Sequence, residues 1–165
     1  MAITLPAAIR ATLIVCTCAV AAFAAQAQGR FVVSADGQQV TDSTGGLVWR
    51  RCVEGMKWNG SICAGKPLKY NFAGAKAAAA AAAAAGKAWR VPTKEELLSL
   101  VDAKVKKKPK IDLAAFPNTP SLQFWATRAG GDDNLNAWLI NFANGRLLGN
   151  IGQAKFPLRL VRTGP

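Results

Sequence analysis

The sequence predicts an α+β domain with an antiparallel sheet, two helices and one disulfide. Three observations predict it. Short β-prone runs split by turn residues stand at both ends of the globular part, two helical segments lie between them, and one close pair of cysteines remains after export.

Export is read from the first residues. Arg10 precedes an uncharged apolar run, Ala11 to Phe23, and Ala25-Gln26-Ala27 supplies a small-x-small cleavage site. Residues 1–27 are therefore expected to be a secretory signal peptide, cut before Gln28. The run falls short of the roughly 20 residues a membrane-spanning helix needs, and no later stretch reaches that length, so no transmembrane segment is expected in the mature chain. Leu13-Ile14-Val15-Cys16 faintly resembles a lipid-attachment box, but Val15 is bulky where a small residue is wanted. Residues 28–165 then form a single domain, 138 of the 165 residues, long enough to bury a continuous core. Twenty basic side chains against nine acidic ones give it a charge of +11, a field that attracts polyanions or anionic surfaces.

Cys16 and Cys18 leave with the signal, and Cys52 and Cys63 remain. A lone pair in an oxidising compartment is read as a disulfide, and closing so short a loop contributes about 3 kcal/mol by chain entropy. A zinc site would need further ligands, and the chain has no histidine.

The elements follow in order. Phe31-Val32-Val33, Val40-Thr41-Asp42 and Leu47-Val48-Trp49, separated by Asp36-Gly37 and Gly45-Gly46, read as an antiparallel meander. The cysteine loop carries Trp58, expected to pack over the disulfide. From about Phe72 the chain turns into nine consecutive alanines, Ala77 to Ala85, ended by Gly86: a helix by propensity with a glycine stop. This helix lacks an amphipathic pattern and reads as a core helix able to approach a sheet closely. A second helix starts at Thr93, which forms a capping box with Glu96, and Leu97, Leu100 and Val101 make its inner stripe. Lys104, Lys106, Lys107, Lys108 and Lys110, interrupted by Pro109, form a basic loop. Phe116-Pro117-Asn118-Thr119-Pro120 is a rigid turn. Strands return at Gln123–Thr127, Trp138–Phe142, Leu147-Leu148 after the Asn144-Gly145 turn, and Leu158–Val161, with the first and last strands expected to pair.

Val40-Thr41-Asp42 with Gly46-Leu47-Val48-Trp49, Cys52 and Cys63, Trp89-Arg90-Val91-Pro92-Thr93 with Glu96-Leu97, Phe116-Pro117-Asn118, Phe124-Trp125 and Arg159-Leu160-Val161-Arg162 together resemble the bacterial Lcl C-terminal domain family, named for the Legionella collagen-like adhesin. The resemblance runs in order over about the whole mature chain. It implies a C-type-lectin-like α+β fold and, for the best-known member, adhesion through sulfated polysaccharides. Gly45 stands where a threonine is usual, and the alanine run replaces a more mixed helix. No Gly-x-y repeat is present, so a trimeric stalk is not implied.

Chemistry by side chain is sparse. Without histidine, with both remaining cysteines in a bridge, and with no motif giving a serine a base, no catalytic residues are assigned and no enzyme is expected. Glu95 and Glu96 are favoured in a first helical turn by the helix dipole alone. Asp132-Asp133-Asn134 with Asn136 is the one candidate for calcium, but it lacks the calcium-lectin tripeptides and reads as a polar hairpin tip, so neither metal nor cofactor is expected. Trp49, Trp58, Trp89, Trp125 and Trp138 could form a sugar-stacking platform but read better as core. The five lysines are left as the candidate ligand-binding residues. The expected partner is an anionic glycan or cell-surface polymer. The alternative is a structural role, binding a protein of an envelope or surface assembly. Export makes nucleic acid a poor partner.

Overall fold

The computed structural model describes residues 29–128, 137–149 and 154–164. The expected signal peptide and Asp132, Asp133, Asn134 and Asn136 lie outside them.

The chain opens with β1 (Phe31–Val33), β2 (Gln39–Asp42) and β3 (Leu47–Arg50), followed by the small hairpin of β4 (Met56–Trp58) and β5 (Cys63–Gly65) and by β6 (Lys69–Tyr70). Helices α1 (Phe72–Ala84) and α2 (Lys94–Ser99) come next, then β7 (Gln123–Thr127), β8 (Ala137–Asn141) and β9 (Arg146–Gly149), and finally β10 (Phe156–Pro157) and β11 (Val161–Thr163). Antiparallel sheets, two helices and a disulfide joining Cys52 to Cys63, with Cα atoms 5.5 Å apart, bear out the expected α+β class.

The N-terminal meander forms a four-stranded sheet in the order β1-β2-β3-β11. First and last strands share this sheet without pairing, because β1 takes the free side of β2 and only β3 has a side left for β11. The expected strand over Leu158–Val161 is also displaced. Leu158, Arg159, Leu160 and Val161 are all fully buried, without the alternation of a strand lying on a sheet face. This segment crosses the interior from β10 to β11, and its carbonyls at Leu158 and Leu160 accept from Glu54 N–H and Arg50 N–H.

Strands β7-β8-β9 form a sheet packed on both faces. Phe124, Ala126 and Ile140 face one cluster, with Val40, Trp49, Leu97, Leu100, Phe116 and Phe142. Trp125 and Leu139, one residue out of phase, face the other, with Phe72, Ala75, Ala79, Leu158 and Leu160. The alanine helix is seated here. Asn71 caps it by accepting from Gly74 N–H at 2.8 Å, and Gly86 ends it at a φ of +93°. Phe72 lies 5.3 Å from Trp125, whose indole donates to the Tyr70 carbonyl.

Arg159 is the one fully buried cation among the described residues. It donates to the carbonyls of Arg50 and Arg51 and, at 2.7 Å, to Thr119 Oγ1, and its guanidinium sits 4.8 Å from the centre of the Phe116 ring. Burial pulls its pKa down to about 9, with Glu54 opposing, so it remains charged at neutral pH. One side chain thereby joins the crossing segment to the end of β3 and to the Phe116–Pro120 turn.

Candidate polyanion-binding loop

The lysine loop is positioned by α2. Thr93 Oγ1 accepts from Glu96 N–H, and the Glu96 carboxylate in turn accepts from Thr93 N–H at 2.8 Å, so the capping box is formed as expected. Glu96 also receives two bonds of 2.7 Å from Arg90, a bidentate pair that ties the helix start to the segment before it. Burial alone would push the Glu96 carboxyl up, but the bonds from Arg90 and Thr93 N–H outweigh it and hold it below the usual range. Glu95 is exposed beside Lys94. These acids serve the helix.

Past α2, Leu100 and Val101 pack inward and the chain enters residues 102–110, which hold five lysines and one aspartate, a local charge of +4. The loop is closed at its base, where Asp102 N–H donates to the Lys110 carbonyl at 3.1 Å. Lys110 N–H donates to the Phe142 carbonyl at 2.7 Å, docking the loop on the β8–β9 hairpin. Gly145 completes the contact, since a Cβ there would come within 2.9 Å of Val101 Cγ1. The Asp102 carboxylate accepts from Lys104 N–H, and Asp112 accepts from Ala114 and Ala115 N–H, so both neighbouring acids serve backbone turns.

The five lysines divide in two groups. Lys104, Lys106, Lys107 and Lys108 are exposed and form no ion pair among the described residues. Lys110 is half-buried, and its Nζ donates to the Val105 carbonyl at 3.1 Å, bracing the loop from within. Arg146, exposed in the docked hairpin, adds a further cation that follows Gly145 directly. Sequence reasoning passed it over because it lies 36 residues beyond Lys110, and only the hairpin contact relates the two.

The tryptophans do not form a platform. Trp49 and Trp125 are fully buried and Trp89 nearly so. Cations cover the others: Arg51 lies 3.9 Å from the centre of the Trp58 ring and Lys94 4.5 Å from that of Trp138. Trp58, the cross-strand neighbour of Cys63, packs its ring on Gly37, where a Cβ would come within 2.3 Å of its Nε1. Gly37 is at a φ of +68°, so both its backbone and its lack of a side chain are used.

Among the described residues no group of three or more His, Cys, Asp or Glu is arranged to hold a metal ion, and no helix is long and apolar enough to cross a membrane. No curated protein and no solved structure matches the chain. The Lcl C-terminal domain matches residues 38–162, a span that begins just before β2 and ends within β11. It contains β2 and β3 of the meander, the disulfide, both helices and the lysine loop, and on a match covering well over half of its length the chain belongs to the Lcl C-terminal domain family.

Proposed function

We propose that this protein is an exported, non-enzymatic binding domain that holds an anionic cell-surface polymer, with sulfated polysaccharide the best fit, through Lys104, Lys106, Lys107 and Lys108. The observation that carries the reading is four exposed ammonium groups on one closed loop, with no ion-pairing carboxylate among the described residues. Most other acids near cations are already engaged: Asp42 by Arg30, Glu54 by Arg50 and Glu96 by Arg90. The loop's field is thus left for an external anion. Ammonium groups act on sulfate or phosphate as point charges, which suits a repeating polymer better than a single shaped ligand. Lys110 supports the loop rather than the ligand, and Arg146 extends the cationic surface. The disulfide is consistent with an oxidising compartment.

Retention on a heparin column tests this. The protein should bind at low ionic strength and elute as salt rises, because exposed charges are screened within about 8–10 Å near physiological salt. The triple reversal Lys106→Glu, Lys107→Glu, Lys108→Glu should abolish most retention while the domain stays folded. Unchanged retention would overturn the assignment of the loop, and a discrete envelope protein retained at high salt would favour protein binding instead.

A further inference from the structure

An open cleft of about 620 Å³ lies between the β3–β4 region and the C-terminal end of α1, apart from the lysine loop. Its polar lining includes Gln38, Arg50, Glu54, Lys57 and Lys87, and Trp89 forms part of its wall. The volume falls within the range of small-molecule sites, roughly 300–1,000 Å³.

The charges in this cleft are arranged differently from those of the loop. Arg50 donates to Glu54 Oε1 at 3.1 Å. Lys87 acts on Asp36, another lining residue, whose carboxyl is held low mainly by the Ser34 hydroxyl and the Gln38 N–H and in part by Lys87. Positive and negative groups therefore largely offset each other. Glu54 is half-buried, and its second oxygen receives no hydrogen bond among the described residues. The Gln38 amide and the Lys57 ammonium are exposed and likewise have no side-chain partner among them.

This lining selects by exclusion. An anion would meet Glu54, a cation would meet Arg50, Lys57 and Lys87, and an apolar ligand would strip water from all of them without replacing its hydrogen bonds. A neutral molecule with several hydroxyl groups satisfies both the acceptor and the donors. We propose that the cleft binds a neutral saccharide unit of one or two rings, with Glu54 accepting from a hydroxyl and Gln38 and Lys57 donating to sugar oxygens. Such a site would act independently of the lysine loop.

The test is a titration of ¹⁵N-labelled, oxidised protein with methyl glycosides of glucose, galactose, mannose and N-acetylglucosamine, and with maltose and cellobiose. High salt throughout silences the loop. At least one sugar should shift the indole N–H signals of Trp58 and Trp89 and the backbone signals of residues 54–58 saturably, with millimolar affinity. Gln38→Ala and Lys57→Ala, both at exposed positions, should each weaken that binding about tenfold, equivalent to 1.4 kcal/mol, without changing heparin retention. Absence of saturable shifts at these signals, or saturable shifts with glucuronate while the neutral sugars stay silent, would overturn the proposal. Equal affinity in both variants would overturn it as well. Loss of heparin binding in the loop variant with sugar binding intact separates this site from the polyanion reading.

Discussion

Arg159 and the lysine loop both carry positive charge that no carboxylate among the described residues pairs directly, and the molecule uses them in opposite ways. Arg159 is fully buried and is held by two carbonyls, one hydroxyl and an aromatic face. Lys104, Lys106, Lys107 and Lys108 are in water, where hydration stabilises them without any partner. A buried cation must find its acceptors within the fold and so becomes part of it, while an exposed one remains available. Charge therefore identifies a binding site only after burial has been taken into account.

Breaking the buried side of this comparison should have the largest effect. Arg159→Ala leaves the acceptors at Arg50, Arg51 and Thr119 without a donor and should cost about 3–5 kcal/mol in denaturant unfolding. Arg159→Lys should recover only part of that, since an ammonium lacks the planar fork. Next comes the disulfide: replacing Cys52 and Cys63 together with alanine should cost about 3 kcal/mol by the loop-entropy estimate, again read by unfolding.

Acid supplies the next test. For Asp42, burial favours the neutral form, but bonds from Arg30 and from Thr44 outweigh it and hold the carboxyl below the usual range, as they do for Glu96 with Arg90 and Thr93. Groups with lowered folded pKa stabilise the protein above their unfolded values, and that contribution is lost as pH falls through the folded ones. Stability should therefore drop below the ordinary carboxylate range, about pH 4. Glu96→Gln should flatten the acid limb of a stability-versus-pH curve. Glu54 has the opposite sign, because burial raises its pKa against Arg50, so its contribution is present at low pH and fades as pH rises through its folded value. The smallest effect on stability is expected from the triple lysine reversal, within about 0.5 kcal/mol. A larger loss there would show that the loop is part of the fold.

Much of this architecture was legible because its signals are local. Thr93 and Glu96 announced the second helix three residues apart, Asn144-Gly145 announced a hairpin, and Gly86 ended the alanine helix. The lysines were visible as a run. What could not be read depends on contacts distant in sequence. Arg159 looked like an ordinary basic residue of a closing motif, although its acceptors lie 40 to 109 residues away. Lys110 could not be told from its neighbours until its bond to Val105 was seen, and Gln38, Glu54, Lys57 and Lys87 share a cleft only because the β4–β5 hairpin and the end of α1 meet near β3.

Composition and short-range pattern by themselves determined the class of fold, the cysteine pair, both helices and the excess of positive charge. These follow from propensity, capping and counting, which act over a few residues. Only the tertiary structure decided which cations are buried and which are free, where the last strand lies, and which distant side chains line a common cleft. Those outcomes depend on how the layers pack, because burial changes the hydration of every charged group and packing brings together residues that the chain keeps apart.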